Sequence, residues 1–310
     1  MSASMERLLT AMEQRLYGQK TNIRLMAAAL LAGGHVLLEG VPGLGKTKMA
    51  RTLAALTGGE YRRIQFTPDL MPSDITGGVI YHTKENEFQT VRGPVFANLV
   101  LADEINRSGP KTQAALLEAM EERQVTINGA THRLPEPFLV VATQNPLEYE
   151  GTYPLPEAQL DRFLFKLILD YPGEEQERQI LRGHVPFATE HDQAIVPELT
   201  LDEIRAAQAH AAEVVVEDSV IDYITAVIRR TRESKRVQLG ASPRAGIAIL
   251  MASKAWAALE GRNYVTPDDV KLVARPALRH RLLLTPQAEL EGGSSDHIVQ
   301  ETLASVPVPR

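Results

Sequence analysis

Eight residues, Gly40-Val-Pro-Gly-Leu-Gly-Lys46-Thr47, have the spacing of a loop that holds phosphate. Gly40, Gly43 and Gly45 let backbone N–H groups close around phosphate oxygens where a Cβ would clash. Pro42, Leu44 and Lys48 complete the stretch expected to touch the ligand. A helix starting here adds partial positive charge at the same spot. Lys46 can reach the β- and γ-phosphates, and Thr47 can ligate Mg²⁺.

Leu99-Val-Leu-Ala-Asp103-Glu104 puts two carboxylates at the end of an apolar run. Asp103 fits the second ligand on the magnesium side, through water, and Glu104 fits the base that polarises an attacking water. A strand end with two solvated acids would read the same. The phosphate loop upstream tips the reading toward chemistry. Asn145 ends the next apolar run, Phe138 to Ala142 followed by Thr143-Gln-Asn. If that strand lies between the other two, the amide faces the γ-phosphate and orients water without adding charge. Alone, Asn145 reads first as a turn asparagine before Pro146. Arg162, in Leu160-Asp-Arg-Phe163, could reach a neighbouring subunit's γ-phosphate, or simply pair with Asp161 or a carbonyl. Arg244 sits in the first turn of a Ser242-capped helix. It is open to the same two readings as Arg162, but a helix start is a poor place for a cation, and that small penalty favours an anion elsewhere.

These residues need elements to carry them. Residues 4–32 read as helical. Short apolar runs follow at 35–38, 64–66, 99–102, 138–142 and 164–169, with helical patterns at 46–56 and 112–122. Alternating strand and helix signals predict an α/β domain with a mostly parallel sheet. Residues 79–92 and 124–134 alternate apolar with polar, and Asn128-Gly129 is a hairpin turn signal, so both read as inserted β-hairpins. From about residue 200 the strand signals stop. Thr200-Leu-Asp-Glu203, Ser242-Pro243 and Thr266-Pro267 are helix starts, and Gly261 is a helix stop. An α/β domain over 1–185 and an all-helical domain over 200–310 are therefore expected, with the boundary near 185–200.

The chain has 310 residues, no cysteine and a formal net charge of −6. It therefore has no disulfide framework, no thiolate metal site and no cysteine nucleophile. Asp and Glu outnumber Lys and Arg by 39 to 33, which disfavours a nucleic-acid partner. Glu6, Arg7, Glu13 and Arg15 fall where a signal peptide needs an apolar core, and no run is long and apolar enough to span a membrane. A cytoplasmic protein is expected.

Taken together, the loop at 40–47, the strand at 99–104, Asn145, Arg162 and Arg244 resemble the AAA+ ATPases. The detail is similar to the MoxR family, through PDLMPSDITG (68–77), GPVFANLVLADEINR (93–107), KTQAALLEAMEERQV (111–125), ATQNPLEYEGTYPLPEAQLDRF (142–163), ASPRA (241–245), LRHRLLL (278–284) and VPVP (306–309). The resemblance implies an α/β AAA+ core with two inserted hairpins, a helical lid, and a ring, usually hexameric, that holds ATP between subunits. It implies that Arg162 acts in trans and Arg244 in cis from the lid. It implies ATP and Mg²⁺ as ligands, and a protein client with a von Willebrand A domain. Gln19, in Tyr17-Gly-Gln, resembles the adenine-side loop, although a plain interhelical turn would look alike. Gln65 stands where relatives carry a polar residue that restrains the strand-end glutamate until a client binds, although a half-buried strand-end glutamine is the more ordinary reading. A magnesium-chelatase motor subunit and an ATP-gated scaffold with slow turnover share much of this pattern. The intact set Glu104, Asn145 and Arg162 argues against the scaffold.

Overall fold

The computed structural model describes residues 2–84, 86–146, 151–183 and 195–309. The chain opens with α1 (Ser2–Glu13) and α2 (Lys20–Leu31). The single helical stretch expected over 4–32 is thus broken, with Gly18 at a φ of 75° in the turn. Without a Cβ that turn costs little. There follow β1 (Val36–Glu39), α3 (Lys46–Leu56), β2 (Tyr61–Gln65), α4 (Pro72–Thr76), β3 (Gly77–His82), β4 (Glu87–Arg92), β5 (Leu99–Asp103), α5 (Pro110–Glu122), β6 (Gln124–Ile127), β7 (Ala130–Arg133), β8 (Leu139–Gln144), α6 (Glu157–Leu160), β9 (Phe165–Ile168) and α7 (Glu174–Gly183).

The sheet has five strands in the order β2-β5-β8-β1-β9, all parallel. Strand β8 lies between β1 and β5, the condition set for Asn145. The three central strands, β8, β1 and β5, alternate their apolar residues between two cores. Val36, Leu38, Leu99, Leu101, Leu139 and Val141 face α1–α3 and the C-terminal helices. Leu37, Val100, Ala102, Val140 and Ala142 face α4 and α5. Burial on both faces explains why these strands read as continuous apolar runs. The pairs β3–β4 and β6–β7 form the two expected hairpins.

The rest is helical: α8 (Leu201–Glu213), α9 (Asp218–Glu233), β10 (Val237–Leu239), α10 (Pro243–Leu259), α11 (Pro267–Leu278), β11 (Leu283–Leu284), α12 (Pro286–Leu290) and α13 (Ser295–Ser305). Thr200, Ser242 and Thr266 each accept a backbone N–H three residues on, as their cap patterns predict. The helical lid also contains an antiparallel ribbon, β10–β11, which was not expected. Its strands of three and two residues are too short to show a period. Much of the boundary placed at 185–200 falls on 184–194, outside the described residues.

Two buried histidines tie elements together. The His35 Nδ1 accepts from the Val140 N–H at 3.0 Å, so its Nε2 carries the proton and donates to the Met120 carbonyl at 3.2 Å. Burial, then the Arg123 guanidinium, lower its pKa from 6.5 to about 3. His280 bonds the Phe163 carbonyl through Nε2 at 2.9 Å, and burial followed by Arg281 holds its pKa well below the usual value. Both are neutral in the fold and protonate in the unfolded chain below about pH 6.5. The unfolded chain then binds more protons, so stability is full above that pH and falls as pH drops toward the folded values. We expect a loss on the order of 1 kcal/mol per pH unit for each histidine. Calorimetric unfolding at pH 5.5 should take up close to two protons from this pair, and a melting temperature flat from pH 7 to 5 would contradict it.

Candidate active site

The carboxyl ends of β1, β5 and β8 make one crevice, the usual place for a ligand on an open parallel sheet. Residues 40–45 leave β1 and turn directly into α3. Gly43 and Gly45 have φ of 87° and 83°, and a Cβ on either would point into open space. A Cβ on Gly40 would lie 2.7 Å from the Leu169 carbonyl oxygen. So the first glycine permits close packing against the chain after β9, and the other two shape the loop. The Lys46 Nζ donates to the carbonyls of Gly40, Val41 and Gln144, which sets it between the loop and the end of β8. Pro42, Leu44 and Lys48 lie at the surface or half-buried along the same stretch.

Asp103 ends β5, almost fully buried. Its Oδ1 accepts from Thr143 Oγ1 at 2.6 Å. Its Oδ2 accepts from Arg63 Nε at 3.0 Å and from a second Arg63 nitrogen at 2.7 Å. Thr47 Oγ1 stands 3.4 Å from the same oxygen. Glu104 follows in the left-handed region, φ 58° and ψ 51°. A non-glycine residue adopts this conformation at a cost. Gln65 Nε2 donates to Glu104 Oε2 at 2.9 Å, and Arg107 donates to the same oxygen at 3.0 Å. The contact expected of Gln65 is therefore present. Asn145 is buried just past β8, beside these groups. Gln19 is tied to the neighbourhood through Asn22, whose amide donates to the Gln19 Oε1 at 2.8 Å and to the Ile168 carbonyl at 3.2 Å.

Arg162 and Arg244 lie elsewhere. The Leu164 N–H donates to the His35 carbonyl at 2.8 Å, so residues 162–164 run past the amino ends of β1 and β9. That edge is a strand's length, roughly 13 Å, from the crevice. Arg162 Nε meets Glu121 Oε2 at 3.0 Å rather than Asp161. The lid lays Arg244 on the same carboxylate, 3.1 Å from Glu121 Oε1, and 3.8 Å from Asp161. Arg244 therefore does not close over this chain's own loop 40–47, and the expectation that it acts in cis is corrected. Its helix start named the helix but not the side of the core on which the lid packs.

The chain matches the family described as "ATPase family associated with various cellular activities (AAA)" over residues 35–165 and an AAA lid domain over 229–302. It is 44% identical over 318 residues to Chaperone MoxR1 of Mycobacterium tuberculosis, which covers 99% of this chain and 83% of that protein. The chain belongs to the MoxR family of AAA+ ATPases. Another similar chain is the uncharacterized protein YeaC of Bacillus subtilis, 50% identical over 298 residues, 95% of this chain and 91% of YeaC. A crystal structure from Cytophaga hutchinsonii, of a protein described as a candidate ATPase, shares the fold with a TM-score of 0.92. It is 39% identical and covers 100% of this chain and 96% of that one. Both the family and the α/β core with helical lid are as the sequence led us to expect.

In this MoxR-family chain the structure adds residues that sequence reasoning did not single out. Arg63, Thr143 and Arg107 hold the acids at 103 and 104. Arg281, nearly fully buried, donates to Asp161 Oδ1 at 2.5 Å and to the carbonyls of Asp161, Phe163 and Leu164 at 2.9, 2.8 and 3.2 Å. It belongs to the LRHRLLL stretch, which entered only as a family likeness. Arginines at alternate positions of an apolar stretch were the available signal. No helix among the described residues is long and apolar enough to cross a membrane.

Proposed function

We propose that this chain binds Mg·ATP in the crevice beyond β1, β5 and β8 and hydrolyses it at the contact between subunits of a homo-oligomeric ring, a hexamer. The cycle would remodel or mature a protein client bearing a von Willebrand A domain, in the cytoplasm. The observation that carries the reading is the convergence of Lys46, Thr47, Asp103, Glu104 and Asn145 on one sheet edge. The chaperone name of MoxR1 supports the client half.

Thr47 and Asp103 offer hard oxygens side by side, which suits Mg²⁺. Among the described residues no group of three or more His, Cys, Asp or Glu could hold a metal. That also suits an ion held mainly by phosphates and water. Bound there, Mg²⁺ would neutralise charge on the β- and γ-phosphate oxygens. Arg63 holds the same Asp103 oxygen, so loading the ion requires that arginine to yield.

Lys46 would leave its carbonyl partners for the β- and γ-phosphates. Asn145 would orient the attacking water. Glu104 would take its proton as the water oxygen bonds to the γ-phosphorus and the bond to the bridging oxygen breaks, leaving ADP and phosphate. Gln65 and Arg107 hold the Glu104 carboxylate until then. Gln19 would border the adenine. Arg162 and Arg244 would serve the nucleotide of the neighbouring subunit.

A pull-down from native lysate with Glu104→Gln tests the client half. We expect a protein with a von Willebrand A domain to be enriched only when ATP is added. Assembly on ATP without such a protein would defeat that half and leave the ATPase half standing.

A further inference from the structure

Glu121 closes the last turn of α5, at the amino edge of the sheet. Its two oxygens hold two arginines that come from different parts of the chain: Arg162, ahead of β9, and Arg244, at the start of α10 in the lid. Asp161 extends the chain of pairs to Arg281, whose bonds to the carbonyls of Asp161, Phe163 and Leu164 fix the backbone on both sides of Arg162. Three guanidiniums thus share two carboxylates. Resting on the proposed hydrolysis across a subunit contact, we propose that Glu121 is a positioning residue. It holds Arg162 and Arg244 side by side so that they meet the neighbouring subunit's γ-phosphate as a pair.

Two guanidiniums paired to one carboxylate repel each other, and the shared negative charge offsets that repulsion. The carboxyl end of α5 adds negative potential at the same spot. The arrangement is also releasable. Glu121 and Arg244 are 36% and 48% exposed in their side chains, a setting in which an ion pair holds weakly. A γ-phosphate carries more charge and more acceptor oxygens than a carboxylate, and forked guanidiniums suit it well. Arg162 and Arg244 can therefore pass from Glu121 to the phosphate without being rebuilt. Because one of them belongs to the lid, nucleotide in one subunit would be felt by the lid of the next.

The test uses the full-length chain. Glu121→Gln keeps the shape and removes the charge. Its kcat should fall about tenfold, as expected when reacting groups are slightly misplaced. Its KM for ATP should stay within about twofold, because its own crevice lies at the opposite edge. Glu121→Asp, which keeps the charge, should recover a substantial part of kcat. Glu121→Gln mixed with Lys46→Ala should also regain activity. The Lys46→Ala subunits bind no nucleotide but present intact Arg162, Glu121 and Arg244 to their neighbours. A kcat that is unchanged or raised would overturn the proposal. So would an equally impaired Glu121→Asp. So would failure of that mixture while Arg162→Ala mixed with Lys46→Ala regains activity. Failure of both mixtures would overturn the reading of hydrolysis across subunits as well.

Discussion

Glu104→Gln is expected to bind ATP as the natural chain does and to turn it over about a hundred to a thousand times more slowly. The two side chains are nearly the same shape. The amide can still meet Gln65, so the left-handed turn at 104 and the loop 40–47 should stay as they are. Lys46 and Thr47 are untouched, which keeps nucleotide affinity. What disappears is the oxygen proposed to take the proton of the attacking water. Nucleotide titration together with phosphate release under saturating ATP checks both halves. A variant that turns over within tenfold of the natural rate would remove Glu104 from the base role.

Arg162→Ala should be costlier, on the order of a thousandfold or more, because an arginine supplied to a transferring phosphoryl group is worth that much. The loss should appear in kcat. Arg162 is tied to Glu121 at the amino edge, so a chain lacking it keeps its own loop, Thr47 and Asp103 intact. The loss should also be repaired by a neighbour. Subunits carrying Lys46→Ala have an intact Arg162, so a mixture of two inactive chains should regain activity at the contacts that combine one good crevice with one good arginine. A kcat that barely falls would place Arg162 outside the reaction, and a mixture no more active than either variant alone would show that Arg162 does not act across the contact.

Local patterns made much of this molecule legible. The loop at 40–47 is read from eight consecutive residues, and Asn128-Gly129 announces its hairpin by itself. Strand β8 was expected between its neighbours only as a condition on Asn145, and the sheet order meets it. What stayed hidden depends on contacts far apart in sequence. Arg63 is 40 residues from Asp103, and Arg281 is 120 from Asp161. Periodicity says which face of an element a residue occupies, not what will pack against that face. Arg244 shows the same limit. Its helix was legible from Ser242, but the docking of the lid decided that it would meet Glu121 rather than the loop at 40–47. The ribbon β10–β11 was missed because its strands are shorter than a period-two signal needs.

The backbone at Glu104 has an implication for anyone trying to harden this protein against heat. A φ of 58° suits asparagine or glycine better than glutamate, so position 104 carries a conformational tax that a stabilising screen would notice. Glycine or asparagine there would relax the turn and raise the melting temperature, while removing the carboxylate to which the proposed hydrolysis assigns the proton of the attacking water. Durability and proposed turnover are therefore opposed at this residue, and selection for robustness alone would lead toward an inert protein.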